Sequence, residues 1–266
     1  VSIRLVGIDV DGTLVGRSGI VAERIWRAAE RLLEAGVRLT LCSGRPAYGV
    51  ARDYARRLDP AGWHVFQNGA SVVNAGDGRS RSTPLPTGSI ADLVAQSRAA
   101  RQILELYGDA GYVVERDTTW SRQHAALLGI QFRAQPFESL RQPVVRAQWL
   151  LSHAEARAFV ARVDAEVEVA ASTSPLMPDT TFVGITRRGV SKGAALRTIA
   201  AELGIALEDV MYVGDAPNDL SALRLVGHPV AMGNADDTVK RAALRVVGGV
   251  EDAGLGEALE WVLELA

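Results

Sequence analysis

Lysine is almost missing from this chain. Of its 29 basic residues only Lys192 and Lys240 are lysine, and every other cation is arginine, so a lysine here is an unusual choice. Cysteine is down to one residue, Cys42, which excludes an internal disulfide and gives no pointer to an oxidising compartment. No apolar run approaches the roughly 20 residues that span a bilayer. The start of the chain also lacks the charged, apolar, small-residue order of a signal peptide, so a soluble, cytoplasmic protein without a membrane partner is expected. Excess charge is missing too. A net charge of -2 and a pI near 6.1 give no general field for nucleic acid, which is not expected as a partner. Any anionic ligand must be met locally. The four histidines, His64, His124, His153 and His228, have no mutual metal-ligand spacing and read as structural or surface residues.

What is present is a globular composition, 48% hydrophobic and 23% charged over 266 residues, enough for one large domain or two unequal ones. "IRLVGIDV" is a strand buried on both faces. A helix over 21–35 and a strand over 37–42 follow, and "SGRP" turns into a further helix with Pro46 in its first turn. The same alternation returns near the C-terminus in "TFVGIT", a helix over 191–203, "DVMYVG", "PNDLSALRLV" and "PVAM". This predicts an α/β fold with a Rossmann-like, doubly wound, mostly parallel sheet. The middle differs in texture. After paired strands in "VFQNGASVVN", the spacing predicts a helix over 88–107, strands over 111–116, 147–152 and 166–171, and a helix over 154–163. This α+β stretch predicts an inserted cap over 84–181, flanked by a core made of 1–83 and 182–266.

Ligands of open α/β sheets bind at the carboxyl ends of strands, and the polar clusters of this sequence fall there. Asp9 and Asp11 end the first strand in "GIDVDGTL", and Asp215 ends "MYVGD". Asp-Gly is a common turn signal, but three converging carboxylates repel one another unless a cation holds them. A hard divalent ion such as Mg²⁺, bound by carboxylates, waters and substrate phosphate, suits that set. Ser43 and Gly44 precede a helix, whose free amides and a small hydroxyl bind phosphate. Lys192, in the first turn of a helix, opposes the macrodipole; an ammonium facing a phosphoryl oxygen explains its place. In "GDAPND", Asn218 and Asp219 read equally as polar residues of a helical first turn.

Together these pieces resemble the haloacid dehalogenase-like phosphohydrolases. "DVDGTL" is similar to the first motif of that superfamily, Ser43 in "LCSGRP" to the second, Lys192 in "GVSKGAAL" to the third and "GDAPND" to the fourth. "VFQNGA" and "PVAMGNADDTVKRAA" resemble the Cof-like subfamily with its C2-type cap, although "VVGGVEDAGLGEAL" departs from the acidic, Asn-rich turn usual there. The resemblance implies Asp9 as nucleophile forming an aspartyl-phosphate, and Asp11 as the acid and then the base. It implies Mg²⁺ on the Asp9 side chain, the Asp11 backbone carbonyl and Asp215. Ser43, Gly44, Lys192 and Asn218 would hold phosphoryl oxygens, and Asp219 would support Lys192 or a metal water. The expected activity is a Mg²⁺-dependent phosphatase of a small phosphorylated metabolite, such as a sugar phosphate. A phosphomannomutase-like mutase and a non-catalytic phosphometabolite sensor are the alternatives. A mutase needs a second phosphate site in the cap, where Arg116, Arg122, Arg133, Arg141 and Arg146 stand against Asp117 and Glu138. Substrate contacts are expected from 173–180 and from around Trp120 to His124.

Overall fold

A computed structural model describes residues 2–159, 165–174 and 176–265. The chain divides into two compact units. The first comprises Val1–Arg45, Ala51–Ser80 and Ser191–Ala266, and the second Pro46–Val50 and Arg81–Val190. In chain order the first unit begins with β1 (Leu5–Asp9), α1 (Glu23–Glu34), β2 (Arg38–Cys42), α2 (Val50–Leu58), β3 (Trp63–Phe66) and β4 (Ser71–Asn74). The second contributes α3 (Thr87–Ala100), β5 (Ile103–Tyr107), β6 (Tyr112–Val114), α4 (Thr119–Leu128), β7 (Arg146–Ser152), α5 (His153–Ala158), β8 (Val167–Ser174) and β9 (Met177–Arg187). The first resumes with α6 (Lys192–Glu202), β10 (Val210–Gly214), α7 (Leu220–Leu223), β11 (His228–Ala231), α8 (Asp237–Arg241), β12 (Arg245–Val246) and α9 (Gly254–Leu265).

The strands of the first unit form one sheet in the order β12-β11-β10-β1-β2-β3-β4. Every neighbouring pair is parallel except β3 with β4. This is the expected α/β fold. Strands β1 and β10 are wholly buried, as an unbroken apolar run on a two-sided sheet requires. Because β1 lies between β2 and β10, the chain leaves it in one direction and returns on the other side, which makes its carboxyl end the switch point of the sheet. Gly7 matters here. A Cβ on it would stand 2.7 Å from the Tyr212 ring, so only glycine lets β10 lay that ring across β1. Leu196 and Ile199 of α6 pack into the same core with Tyr212, Leu5 and Val210. Among the described residues no helix is long and apolar enough to cross a membrane.

The sheet of the second unit is antiparallel, ordered β6-β5-β7-β9-β8. Here the structure corrects the expected helix over 88–107. That segment is α3 followed by β5, because Arg101 turns left-handed at φ 52° and ends the helix. "ILELY" then runs as a buried strand with alternating faces. Helix α4 is also new, although its start was written in the sequence: Thr118 and Ser121 cap one another reciprocally. Helix α2 begins at Val50, four residues beyond Pro46, so Pro46 belongs to a loop and not to a first turn. The expected helix over 154–163 is described only as α5; positions 160–163, like Pro175, lie outside the described residues. The positions 84 and 181 expected as cap limits fall inside the second unit, since β9 runs on to Arg187.

His64 is a structural residue with a fixed tautomer. Its Nδ1 accepts from the Leu41 amide at 3.0 Å, and its Nε2 donates to the Asp59 carbonyl at 2.9 Å, both in the interior. Burial lowers its pKa to about 4, against the pull of the Asp59 carbonyl. The unfolded chain therefore binds a proton that the folded one refuses, so stability falls as pH drops from about 6.5 to about 4. The loss from this group amounts to about 3 kcal/mol. Urea unfolding at a series of pH values should show this slope, and His64→Gln should reduce it.

Candidate active site

Strand ends deliver most of the site. Asp9 closes β1, Ser43 and Gly44 follow β2, and Asp215 follows β10, all at the carboxyl edge of one sheet. Asp9, Ser43, Lys192 and Asp219 are buried; Asp215 is half-buried. The centre is the Lys192 ammonium, whose Nζ donates to Asp9 Oδ1 at 2.5 Å and to Asp219 Oδ1 at 2.7 Å. Lys192 starts α6, and the side chain of its N-cap, Ser191, accepts from the Ala194 amide. The cation that opposes the helix dipole is thus held by two acids.

Asp219 is saturated with donors. Besides Lys192, the Tyr212 hydroxyl donates to Oδ1 at 2.6 Å, and the amides of Asp215 and Ala216 donate to Oδ2 at 3.0 and 2.9 Å. Its role is orientation. Asp215 accepts from Thr13 Oγ1 at 3.4 Å and Asn234 Nδ2 at 3.1 Å. Gly12, at φ +90°, leaves the room this carboxylate occupies, since a Cβ there would overlap it. Asn234 also donates to the Gly12 carbonyl and accepts from the Val250 amide, tying β1, β10 and the last turn together.

Electrostatics follow from burial. Desolvation, then the Asp219 charge, push the Asp9 carboxyl well above its ordinary range, while Lys192 pulls it back. The same two causes, in the same order, raise Asp215 to about 6. Burial works hardest against the Lys192 charge, yet Asp9 and Asp219 together hold its pKa above the ordinary value. Desolvation pushes the neighbouring Cys42 thiol up to about 12, so it is no nucleophile.

Asp9, Asp215 and Asp219 each offer a carboxylate oxygen within 4.8 Å of the others, and they form the one such grouping among the described residues. Hard oxygen donors on partly desolvated acids suit a divalent cation. Asp219 already accepts two hydrogen bonds on each oxygen, against one on each oxygen of Asp215 and the Lys192 bond on Asp9, so Asp9 and Asp215 are the ones with capacity for it. The Asp11 side chain lies outside the grouping, 58% exposed, in a two-bond pair with Arg45 at 2.5 and 3.0 Å.

The expected phosphate-binding pair needs a correction in its local structure. Ser43 is no helix N-cap, because α2 starts seven residues later; its Oγ accepts from the Arg45 amide at 3.0 Å within a loop. Gly44 faces Asn68, whose Oδ1 would lie 3.3 Å from a Cβ there, and the exposed Asn218 donates its Nδ2 to the same oxygen at 2.9 Å. Asn68, Asn234 and Tyr212 are site residues the sequence reading missed. A signal existed for Asn68, since an Asn-Gly pair marks left-handed backbone. Gln67 and Asn68 sit at φ 51° and 57°, consecutive strained positions of the kind found at functional sites.

Two predictions follow from this charge arrangement. Lys192→Met leaves Asp9 and Asp219 buried without a counter-charge and should cost about 3 kcal/mol in urea unfolding, part of which an added divalent cation recovers. Cation affinity measured by calorimetry should fall about tenfold per pH unit below about 6, as Asp215 takes up its proton and competes for the ion.

Comparisons with known proteins show what the chain and its fold are similar to. An HMP-PP phosphatase from Yersinia pseudotuberculosis is 26% identical over 261 residues, covering 96% of this chain and 94% of its own. The crystal structure of a haloacid dehalogenase-like hydrolase from Bacteroides thetaiotaomicron superposes with a TM-score of 0.86 at 26% identity, covering 98% of this chain and 100% of its own. The subclass IIB sugar phosphatase BT4131 shares the fold, with a TM-score of 0.79 at 22% identity over 97% of this chain and 98% of its own. The model of the haloacid dehalogenase-like hydrolase family matches residues 6–259, and the chain belongs to that family.

Proposed function

We propose that this haloacid dehalogenase-like phosphatase hydrolyses a small phosphomonoester, a sugar phosphate or related metabolite, through an aspartyl-phosphate on Asp9, with Mg²⁺ as its ion. The observation that carries this reading is the buried Lys192 bridging Asp9 and Asp219 beside Asp215. A carboxylate nucleophile needs desolvation to be reactive and cationic neighbours to remain ionised while buried, and a phosphoryl group needs positioning and charge neutralisation. Relatives named as an HMP-PP phosphatase and a sugar phosphatase support phosphate-ester chemistry for this chain.

In this reading a carboxylate oxygen of Asp9 attacks phosphorus, and the ester P–O bond breaks as the acyl phosphate forms. Asp11 hands its proton to the leaving alcohol, then takes one from the water that attacks phosphorus and frees Asp9. Asp11 must leave Arg45 to do so, so Arg45 parks the acid until the ester arrives. Ser43 Oγ, the Gly44 amide, Lys192 and Asn218 hold phosphoryl oxygens, with Asn68 setting the Asn218 amide. Mg²⁺ on Asp9 and Asp215, with the Asp11 backbone carbonyl, would neutralise the charge that gathers there. The buried free thiol of Cys42 accords with a cytoplasmic location.

Phosphate release from a panel of phosphomonoesters, with and without Mg²⁺, tests this. Turnover should require the metal and fall about a thousandfold or more in Asp9→Asn. Asp11→Asn should lose about 10² to 10⁴ in kcat. Persistent turnover in Asp9→Asn would overturn the assignment of the nucleophile.

A further inference from the structure

The segment "VVGGVEDAGLGEAL", residues 246–259, departs from the turn usual in the Cof-like subfamily, and the chemistry proposed above gives it no task. The first unit holds the start of this segment from several sides. The Gly233 amide donates to the Gly248 carbonyl at 3.0 Å, and a Cβ on Gly233 would stand 2.9 Å from the Val247 carbonyl oxygen, so glycine is what lets the two stretches approach. From α1, Arg24 donates to the Asp252 carbonyl and, at 2.8 Å, to the Ala253 carbonyl. Glu251 accepts from the Arg17 amide at 2.9 Å. Ala253 itself lies left-handed at φ 50°, a conformation that an alanine keeps only where its surroundings impose it.

One group of this fixed turn reaches the acids. The Val250 amide donates to Asn234 Oδ1 at 2.9 Å, while Asn234 Nδ2 sends its two hydrogens to the Gly12 carbonyl at 2.9 Å and to Asp215 Oδ2 at 3.1 Å. Only one orientation satisfies all three. A flipped side chain would set its oxygen against a carbonyl and a carboxylate, and its own hydrogens against the Val250 amide. Asp215 in turn has one donor on each oxygen, Thr13 on Oδ1 at 3.4 Å and Asn234 on Oδ2, and the shorter bond is that of Asn234. The plane of the carboxylate is therefore set before any cation arrives, and each oxygen keeps acceptor capacity. Asn234 is exposed, so water can replace its bonds and they add little to stability.

We propose that Asn234 is a positioning residue for cation binding: seated on the Val250 amide, it aims the Asp215 carboxylate, and the turn over 247–254 is the reference from which it is set. The inference rests on the reading of Asp9 and Asp215 as the cation's acids. Neither Asn234 nor Val250 touches the ion in this account. A carboxylate that must turn into place gives up freedom on binding, whereas one already held gives up less. Hydrogen bonds that orient a ligand in this way carry about ten- to a hundredfold in metal affinity. The departing segment thereby acquires a task, since its Val250 amide decides which way the asparagine points.

Calorimetric titration with Mg²⁺, with no ester present, tests this. Asn234→Ala should bind the ion about tenfold or more weakly, while its melting temperature without cation stays close to that of the parent. Val250→Pro removes the amide that orients Asn234. Proline suits the first position of the short helical turn over Val250–Asp252, and Gly249 before it is already extended at ψ 164°. This variant should weaken Mg²⁺ binding in the parent but not in the Asn234→Ala background, because its effect passes through the asparagine. Unchanged Mg²⁺ affinity in Asn234→Ala, whatever its melting temperature, overturns the proposal, and so does a Val250→Pro effect that persists in that background. If the parent binds Mg²⁺ but releases no phosphate from any ester, the phosphatase reading fails, and weaker binding by Asn234→Ala still upholds the role of Asn234. A parent that binds no Mg²⁺ overturns both.

Discussion

The ammonium of Lys192 is the constraint around which the rest of the core is arranged. Two buried carboxylates on either side of it would otherwise face each other across a desolvated space, and a third acid stands within reach. Everything that fixes those acids is therefore fixed by the lysine: the end of β1, the turn after β10 and the first turn of α6. A guanidinium could not occupy the same place, because its planar fork needs more room and aims its donors in one plane. This explains why a chain that uses arginine for nearly every other cation keeps lysine here.

The two units divide labour by the way they bury polar groups. The first concentrates charge at one edge of a parallel sheet, where strand ends and a helix start supply fixed donors. The second holds a cluster of polar groups, Glu105, Tyr107, His124, Arg146 and Gln148, beside an apolar patch of Ile103, Val114, Leu150 and Phe182. At the centre of the first unit Asp219 is satisfied by the chain itself.

The sequence exposed the strand ends well, because in an open parallel sheet a carboxylate placed after an apolar run has only one edge to go to. Asp9, Lys192 and Asp215 could thus be grouped without coordinates, whereas Asp219 joined them only through the family resemblance. Their partners were harder to find: Asn68 and Asn234 act across 150 and 222 residues of chain, and although the Asn-Gly pair marks the backbone at Asn68, nothing local marks what either side chain reaches. Ser43 misled because a serine before a Pro-containing stretch looks the same whether a helix starts there or seven residues on. Glu105 and Tyr107 were hidden by joining β5 to α3. Inside a helix they fall on no common face, whereas at a period of two they define one.

The sequence separation of 183 between Asp9 and Lys192 also bears on the order in which the chain assembles. Closing so long a loop is entropically costly, and it leaves the Asp9 end of β1 without its counter-charge until α6 arrives. The strand pairings of the second unit, among the described residues, all lie within 103–187 and involve no strand of the parallel sheet, so forming them would shorten that loop before the closure is attempted. Folding should then run from the insert outwards. The inserted sheet would then serve the parallel core as a folding scaffold, bringing distant parts of the chain together before their charges are in place.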